Sequence, residues 1–197
     1  MASLSTASAR ANLADRGNDL YETPTEAIVA LRMAEFLPKV IWEPACGPGS
    51  IVRVLRDAGH IVYATDLVNY DSPDQDESGW DFLMEQQLPI GVQAIITNPP
   101  FKNAGHFVAH ALHLCPRVIM LLRLAFIESK SRSPILDTGH LARVHVFRNR
   151  LPMMHRAGQG IQKAARHNSS ALAFAWFVWD KSHKGPTELH RISWSAA

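Results

Sequence analysis

Short apolar runs alternate along the chain with stretches of helical periodicity, which predicts βαβ units around a mainly parallel sheet. Thr23-Pro24-Thr25-Glu26 opens the first helix, with Thr23 as N-cap, Pro24 at the first helical position and Glu26 three residues after the cap. That helix runs to about Phe36, and Pro38 stops it. Val40-Ile41-Trp42 reads as a buried strand, Ser50–Ala58 as a helix closed by Gly59, and Ile61–Thr65 as a strand ending at Asp66. Ala94–Thr97 is a strand that runs into Asn98-Pro99-Pro100-Phe101. Asn103–Cys115 is helical, while Arg117–Leu124, Arg143–Phe147 and Ala171–Trp179 are strands. The acidic loop Asp71–Gly79 leaves little room before Ala94 for a strand plus helix, so that unit should be reduced. The polar segment Met153–Ser170, with Gly158 and Gly160, reads as a loop.

The 197 residues suit one domain with a core of its own. The longest apolar run, Ala171–Trp179, falls short of the about 20 residues a membrane-spanning helix needs. Residues 1–19 lack the apolar stretch of a secretory signal and read as a loose leader. Cys46 and Cys115 form neither a disulfide framework nor a CxxC clip, which points to the cytoplasm.

Formal net charge is only +2, but it is unevenly spread. Residues 1–101 hold 6 Lys and Arg against 14 Asp and Glu; residues 102–197 hold 14 against 4. Between Asp137 and Asp180 there is no acid, while Arg143, Arg148, Arg150, Arg156, Lys163 and Arg166 fall there. Such asymmetry fits a polyanion at one end of the molecule, nucleic acid above all, and equally a solvated basic face.

Four constellations carry candidate chemistry. Trp42-Glu43-Pro44-Ala45-Cys46-Gly47-Pro48-Gly49 lies between a strand and a helix, where glycines let the backbone turn sharply and approach a ligand. Val52 stands where a dinucleotide fingerprint would place its third glycine. Asp66, followed by Leu67, ends the next strand, where a carboxylate can accept from ribose hydroxyls. Asp81-Phe82 pairs a carboxylate suited to an exocyclic amine with a ring suited to adenine, although alone it reads as a turn. In Asn98-Pro99-Pro100-Phe101, two prolines stiffen the backbone and set a carbonyl beside the Asn98 side-chain oxygen. Two acceptors held close together suit a planar NH2 group, and accepting both hydrogens turns the nitrogen lone pair toward an electrophile. The following ring can stack on the base that carries the amine.

Taken in this order, the motifs resemble those of S-adenosylmethionine-dependent amino-methyltransferases, most of all the gamma-class adenine-N6 DNA methyltransferases and their short phage-type relatives. Glu22-Thr23-Pro24 is similar to the family's N-terminal motif along the methionine end of the cofactor, and Glu43–Gly49 to its glycine-rich motif. Asp66 and Asp81-Phe82 resemble the ribose- and adenine-binding residues, Asn98–Phe101 the catalytic motif, and Ala173–Asp180 the late strand of the phage-type members. The resemblance implies a Rossmann-like class I α/β fold, mostly parallel with a late antiparallel strand. It implies one catalytic domain over residues 20–197, without the large target-recognition domain of longer members.

By that resemblance the catalytic set is Asn98, Pro99, Pro100 and Phe101. The cofactor set is Tyr21, Thr23, Pro24, Glu43, Ala45, Cys46, Gly47, Gly49, Asp66, Leu67, Asp81 and Phe82. Lys102, Arg148, Arg150, Arg156, Lys163 and Arg166 are the candidate nucleic-acid contacts, with DNA the expected partner. The implied chemistry is direct in-line methyl transfer to the N6 amine of an adenine flipped from a duplex or taken from a single strand. The same chemistry on RNA or on a protein glutamine stays open, as does a non-catalytic cofactor-binding module. Tyr21 either closes over the cofactor or staples the first helix. His106, His110 and His113 share a helix face with no accompanying acid or cysteine and read as part of the basic surface rather than a metal site. Trp176, Phe177 and Trp179 read as an alternating strand with one buried face.

Overall fold

The computed structural model describes residues 20–153 and 172–194. The leader and most of the segment before the last long apolar run, with Arg156, Lys163 and Arg166, lie outside the described residues. In chain order the elements are α1 (Thr25–Ala34), β1 (Val40–Glu43), α2 (Ser50–Asp57), β2 (Ile61–Asp66), β3 (Glu77–Ser78), β4 (Ala94–Thr97), α3 (Ala104–Leu114), β5 (Arg117–Arg123), α4 (Ser133–Leu136), β6 (Leu141–Phe147), β7 (Phe174–Asp180) and β8 (Glu188–Ile192). One eight-stranded sheet runs in the order β3-β2-β1-β4-β5-β7-β6-β8. All pairings are parallel except those of β7, which runs antiparallel to both β5 and β6.

Alternating strand positions feed two cores. On one face Ile41, Ile96, Ile119 and Trp176 pack against Ala27, Ile28 and Leu31 of α1 and Ile51, Val52 and Leu55 of α2. On the other, Trp42, Ile95, Val118 and Phe177 pack against Phe107, Val108 and Ala111 of α3. This is a three-layer sandwich with helices on both faces. The reduced unit after Asp66 consists of β3 and a short 3-10 turn, Phe82–Met84.

Several local expectations shift. Pro24, not Thr23, holds the N-cap position of α1, and the helix ends at Ala34 with Glu35 as C-cap. α3 is one residue shorter at each end than its pattern suggested, because Phe101–Asn103 forms a 3-10 turn ahead of it. β7 is buried on both faces, since it sits inside the sheet between β5 and β6. Trp176 joins the α1 side, where its Nε1 donates to the Ala27 carbonyl at 3.0 Å. Trp179 joins the α3 side and donates to the Ile135 carbonyl at 2.9 Å. β8 was not anticipated: Glu-Leu-His-Arg-Ile is exposed and too polar to announce a strand, and it forms as an edge against β6.

The basic stretch also loses a member. Arg143 is turned toward Glu35, which accepts from its Nε at 2.7 Å and its Nη2 at 2.9 Å. The same carboxylate accepts from Arg117 at 2.6 Å and contacts His145 Nε2 at 2.9 Å. Burial alone would push the Glu35 carboxyl up, but hydrogen bonds from His145 and Arg143 and the charges of Arg143 and Arg117 hold it at about 2.

Candidate active site

β1, β2 and β4 run in the same direction, so Glu43, Asp66 and the segment after Thr97 emerge along one edge of the sheet. Open α/β sheets bind ligands at this carboxyl edge. A cavity of about 380 Å³ lies there. The turn after β1 forms its floor. Gly47 and Gly49 both take positive φ, +53° and +90°. A Cβ on Gly49 would sit 2.2 Å from the Asp74 Cβ, and one on Gly47 would press on Leu20 at 3.0 Å. The Gly47 amide donates to Asp66 Oδ2 at 2.9 Å and the Val68 amide to Oδ1 at 2.9 Å, which ties the glycine turn to the end of β2.

The acidic loop is anchored behind this turn. Arg53 on α2 meets Asp74 at 2.6 Å, and Arg56 grips both oxygens of Asp76 at 2.7 and 2.8 Å. Glu43 is fully buried in the cavity wall, and its Oε2 has no hydrogen-bond partner among the described residues. Burial, and the charge of Asp66 beside it, raise its pKa well above the carboxylate range. Burial raises Asp66 as well, against the backbone amides of Val68, Gly47 and Leu67 that pull it down. Burial again, with the charges of Glu43 and Asp66, pushes the Cys46 thiol up.

The catalytic-motif candidate meets the first of the described residues. The Asn98 Nδ2 donates to the Tyr21 carbonyl at 2.9 Å and to Thr23 Oγ1 at 3.0 Å. This is why Thr23 does not cap α1: its hydroxyl serves an asparagine 75 residues away. With both amide hydrogens engaged, the carboxamide is oriented, and Asn98 Oδ1 is left buried without a partner among the described residues. Ser50 donates to Glu22 at 2.6 Å, so residues 20–23 bridge the glycine-turn helix and the motif after β4. Phe101 lies 4.5 Å from Tyr21 and 5.6 Å from Phe174, centroid to centroid.

Of the residues singled out from sequence, Tyr21, Thr23, Glu43, Ala45, Cys46, Gly47, Asp66, Leu67, Asp81, Phe82, Asn98, Pro100 and Lys102 line the cavity. Pro24, Gly49, Pro99 and Phe101 are not in its lining. Gly49 acts instead as the left-handed N-cap of α2. The Asp81 carboxylate accepts from the Leu83 amide at 3.1 Å, capping the 3-10 turn. Phe82 is buried among Trp42, Phe107 and His110, which leaves it contributing to the wall and core together. His110 is thereby part of a packed aromatic cluster rather than the basic surface. Among the described residues no group of His, Cys, Asp and Glu is arranged to hold a metal.

Glu22, from the N-terminal motif, lines the cavity as well, and so do Ser50, Tyr70, Trp80 and Asn103, which were not anticipated. Trp80 directly precedes the Asp81-Phe82 pair, a neighbouring aromatic that could have flagged it. Arg148 and Arg150 are exposed just after β6, on the same edge as Asn98. No described helix is long and apolar enough to cross a membrane.

A parallel sheet with one reversed strand near its end, and a glycine turn and acidic strand end around a cavity at its carboxyl edge, define the Rossmann-like methyltransferase fold. Solved structures bear out that likeness. A protein described as a modification subunit of a type I restriction enzyme from Vibrio vulnificus superimposes with a TM-score of 0.57 at 14% identity, over 89% of this chain and 48% of its own. This chain therefore spans about half that subunit's length. A protein described as an RNA methyltransferase from Pyrococcus horikoshii gives 0.56 at 14% identity, over 82% of this chain and 87% of its own. One described as an O-methyltransferase from Agrobacterium tumefaciens gives 0.51 at 11% identity, over 87% and 86%. The sequence matches no protein-family model and no curated protein.

Proposed function

We propose that this chain is an S-adenosylmethionine-dependent methyltransferase acting on the N6 amine of adenine in DNA. The carrying observation is the clamp on Asn98, whose NH2 group is held by Tyr21 and Thr23 and whose buried Oδ1 has no partner among the described residues. An acceptor oriented in advance and left empty is suited to a donor NH2 from outside, and it needs no reorganisation when the donor arrives.

The residues present fit the cofactor. The Glu43 Oε2, without a partner among the described residues, and the cradle at Gly47, which a Cβ would crowd, suit a ligand that brings a hydrogen-bonding polar group to this wall. Asp66 keeps lone pairs free beyond its two backbone bonds and can accept from ribose hydroxyls. When bound, S-adenosylmethionine supplies a methyl group on an electron-poor sulfonium.

Asn98 Oδ1 and the Pro99 carbonyl accept the two hydrogens of the target amine, which draws its lone pair out of conjugation. Phe101 presents a ring to the base. In the transfer the cofactor would support, N–CH3 would form as S–CH3 breaks and a neutral thioether is released, and the surplus proton would pass from the cationic alkylated nitrogen, which is strongly acidic, to water. Fixed acceptors and positioning supply the rate, without a strong general base. DNA as partner is supported by the net positive charge of residues 102–197 and by Lys102, Arg148 and Arg150 on the edge that carries Asn98.

The test is transfer of labelled methyl to matched methyl-free DNA and RNA, followed by digestion to nucleosides and mass spectrometry. N6-methyladenine from DNA alone is the expected result; label confined to RNA overturns the DNA assignment. Asn98→Ala should keep cofactor binding and lower turnover by about a hundredfold or more. Equal turnover in that variant refutes the catalytic role of Asn98.

A further inference from the structure

Several of the described arginines are tied to other groups of the protein. Arg53 and Arg56 are bound to Asp74 and Asp76, Arg117 and Arg143 to Glu35, and Arg132 donates to three backbone carbonyls. Arg123 is different. It ends β5, is exposed, and meets no carboxylate among the described residues. Its guanidinium lies over the Phe101 ring, 4.7 Å from the centroid. β5 neighbours β4, whose end carries Asn98, and Arg123 pairs across the sheet with Phe174, whose ring also touches Phe101. An arginine without a counter-charge is thus seated on the ring assigned to the incoming base.

We infer that Arg123 is a positioning residue that grips the backbone phosphate of the nucleotide entering the acceptor site, giving up its seat on Phe101 to the base. The inference rests on the nucleic-acid reading above. Arg123 is exposed while the Phe101 ring is partly buried, so this solvent-side guanidinium is held weakly, the base can displace it, and the stacking face is kept covered until then. The planar fork then matches a phosphate with two parallel hydrogen bonds, as a lysine cannot. A base on Phe101 carries its phosphate on the attached sugar, within the sweep of this side chain. The role is one of selection: a nucleotide within a strand offers the anion, whereas a free base or a protein amide does not.

The test uses the full chain and an oligonucleotide whose methylated adenine has first been located by digestion. It is made with native phosphates or with a single neutral methylphosphonate on either side of that adenine. For the wild type, one of the two methylphosphonates should lower kcat/KM about tenfold. Arg123→Ala should show a similar loss on native DNA, mostly as raised KM, and little further loss from that methylphosphonate. Its dependence of log KM on log salt should flatten by about 0.7–0.9. Arg123→Lys should keep the salt slope without restoring KM. The thermal midpoint and cofactor affinity of each variant report folding.

An unchanged KM in Arg123→Ala, or equal methylphosphonate losses in wild type and variant, overturns the assignment and leaves the methyltransferase reading standing. Absence of wild-type transfer to any polynucleotide overturns the nucleic-acid reading itself, and this inference with it.

Discussion

Replacing Glu35 by Gln removes the carboxylate shared by Arg117, Arg143 and His145 at the end of α1, where its side chain is 5% exposed. Holding the carboxyl at about 2 rather than its ordinary 4.5 corresponds to about 3 kcal/mol, at about 1.4 kcal/mol per tenfold in proton affinity. Mutational experience with buried ion pairs that lose one partner gives a similar figure, about 3–5 kcal/mol. The sign follows from the depressed pKa. The contribution is complete above pH 4.5 and is lost as the pH falls through about 2. Urea unfolding at neutral pH should therefore place Glu35→Gln about 1–2 M below wild type, for a slope of about 2 kcal/mol per molar. Repeated toward pH 2, the two midpoints should converge. A gap under about 0.5 M at neutral pH, or one that stays constant on acidification, would refute the reasoning.

Two further expectations concern the site. Thr23→Val keeps the shape but frees one hydrogen of the Asn98 carboxamide, so kcat should fall about 3- to 10-fold, the worth of one hydrogen bond. With a wild-type kcat, orientation by Thr23 would be discarded. Gly49→Ala combines an unfavourable φ with a Cβ 2.2 Å from that of Asp74 and should lower the thermal midpoint by about 6–12 °C, for about 3 kcal/mol. A midpoint within about 2 °C of wild type would show that the loop yields.

The central strands could be read from the chain because their apolar runs are short, bounded and continuous. Ala94–Thr97 has the same limits in pattern and in structure. What escaped was whatever depends on distant partners. Thr23 has every local mark of a cap, yet its hydroxyl is claimed by Asn98. Arg143 lies in a stretch without acids and is neutralised by Glu35, 108 residues earlier. The expected alternation of β7 failed because an interior strand covered by helices on both faces needs no polar side. At the site, most motif residues on strand ends and turns face the cavity. Pro24, Gly49, Pro99 and Phe101 do not; Phe101 is packed among aromatics and Gly49 caps α2.

The position of β7 also bears on how the molecule is made. β5 and β6 are not neighbours; the strand that joins them is residues 174–180. A nascent chain that has released everything through β6 presents two unpaired strand edges where the finished protein has a strand buried at six of its seven positions. Unpaired apolar edges are templates for association with other chains. At a synthesis rate of about 5–20 residues per second, the interval between completing β6 and supplying β7 is one to several seconds. During that time the half-built sheet is exposed to whatever the ribosome's surroundings contain. Its last interior seam closes only when residues 174–180, running opposite to both β5 and β6, join the two.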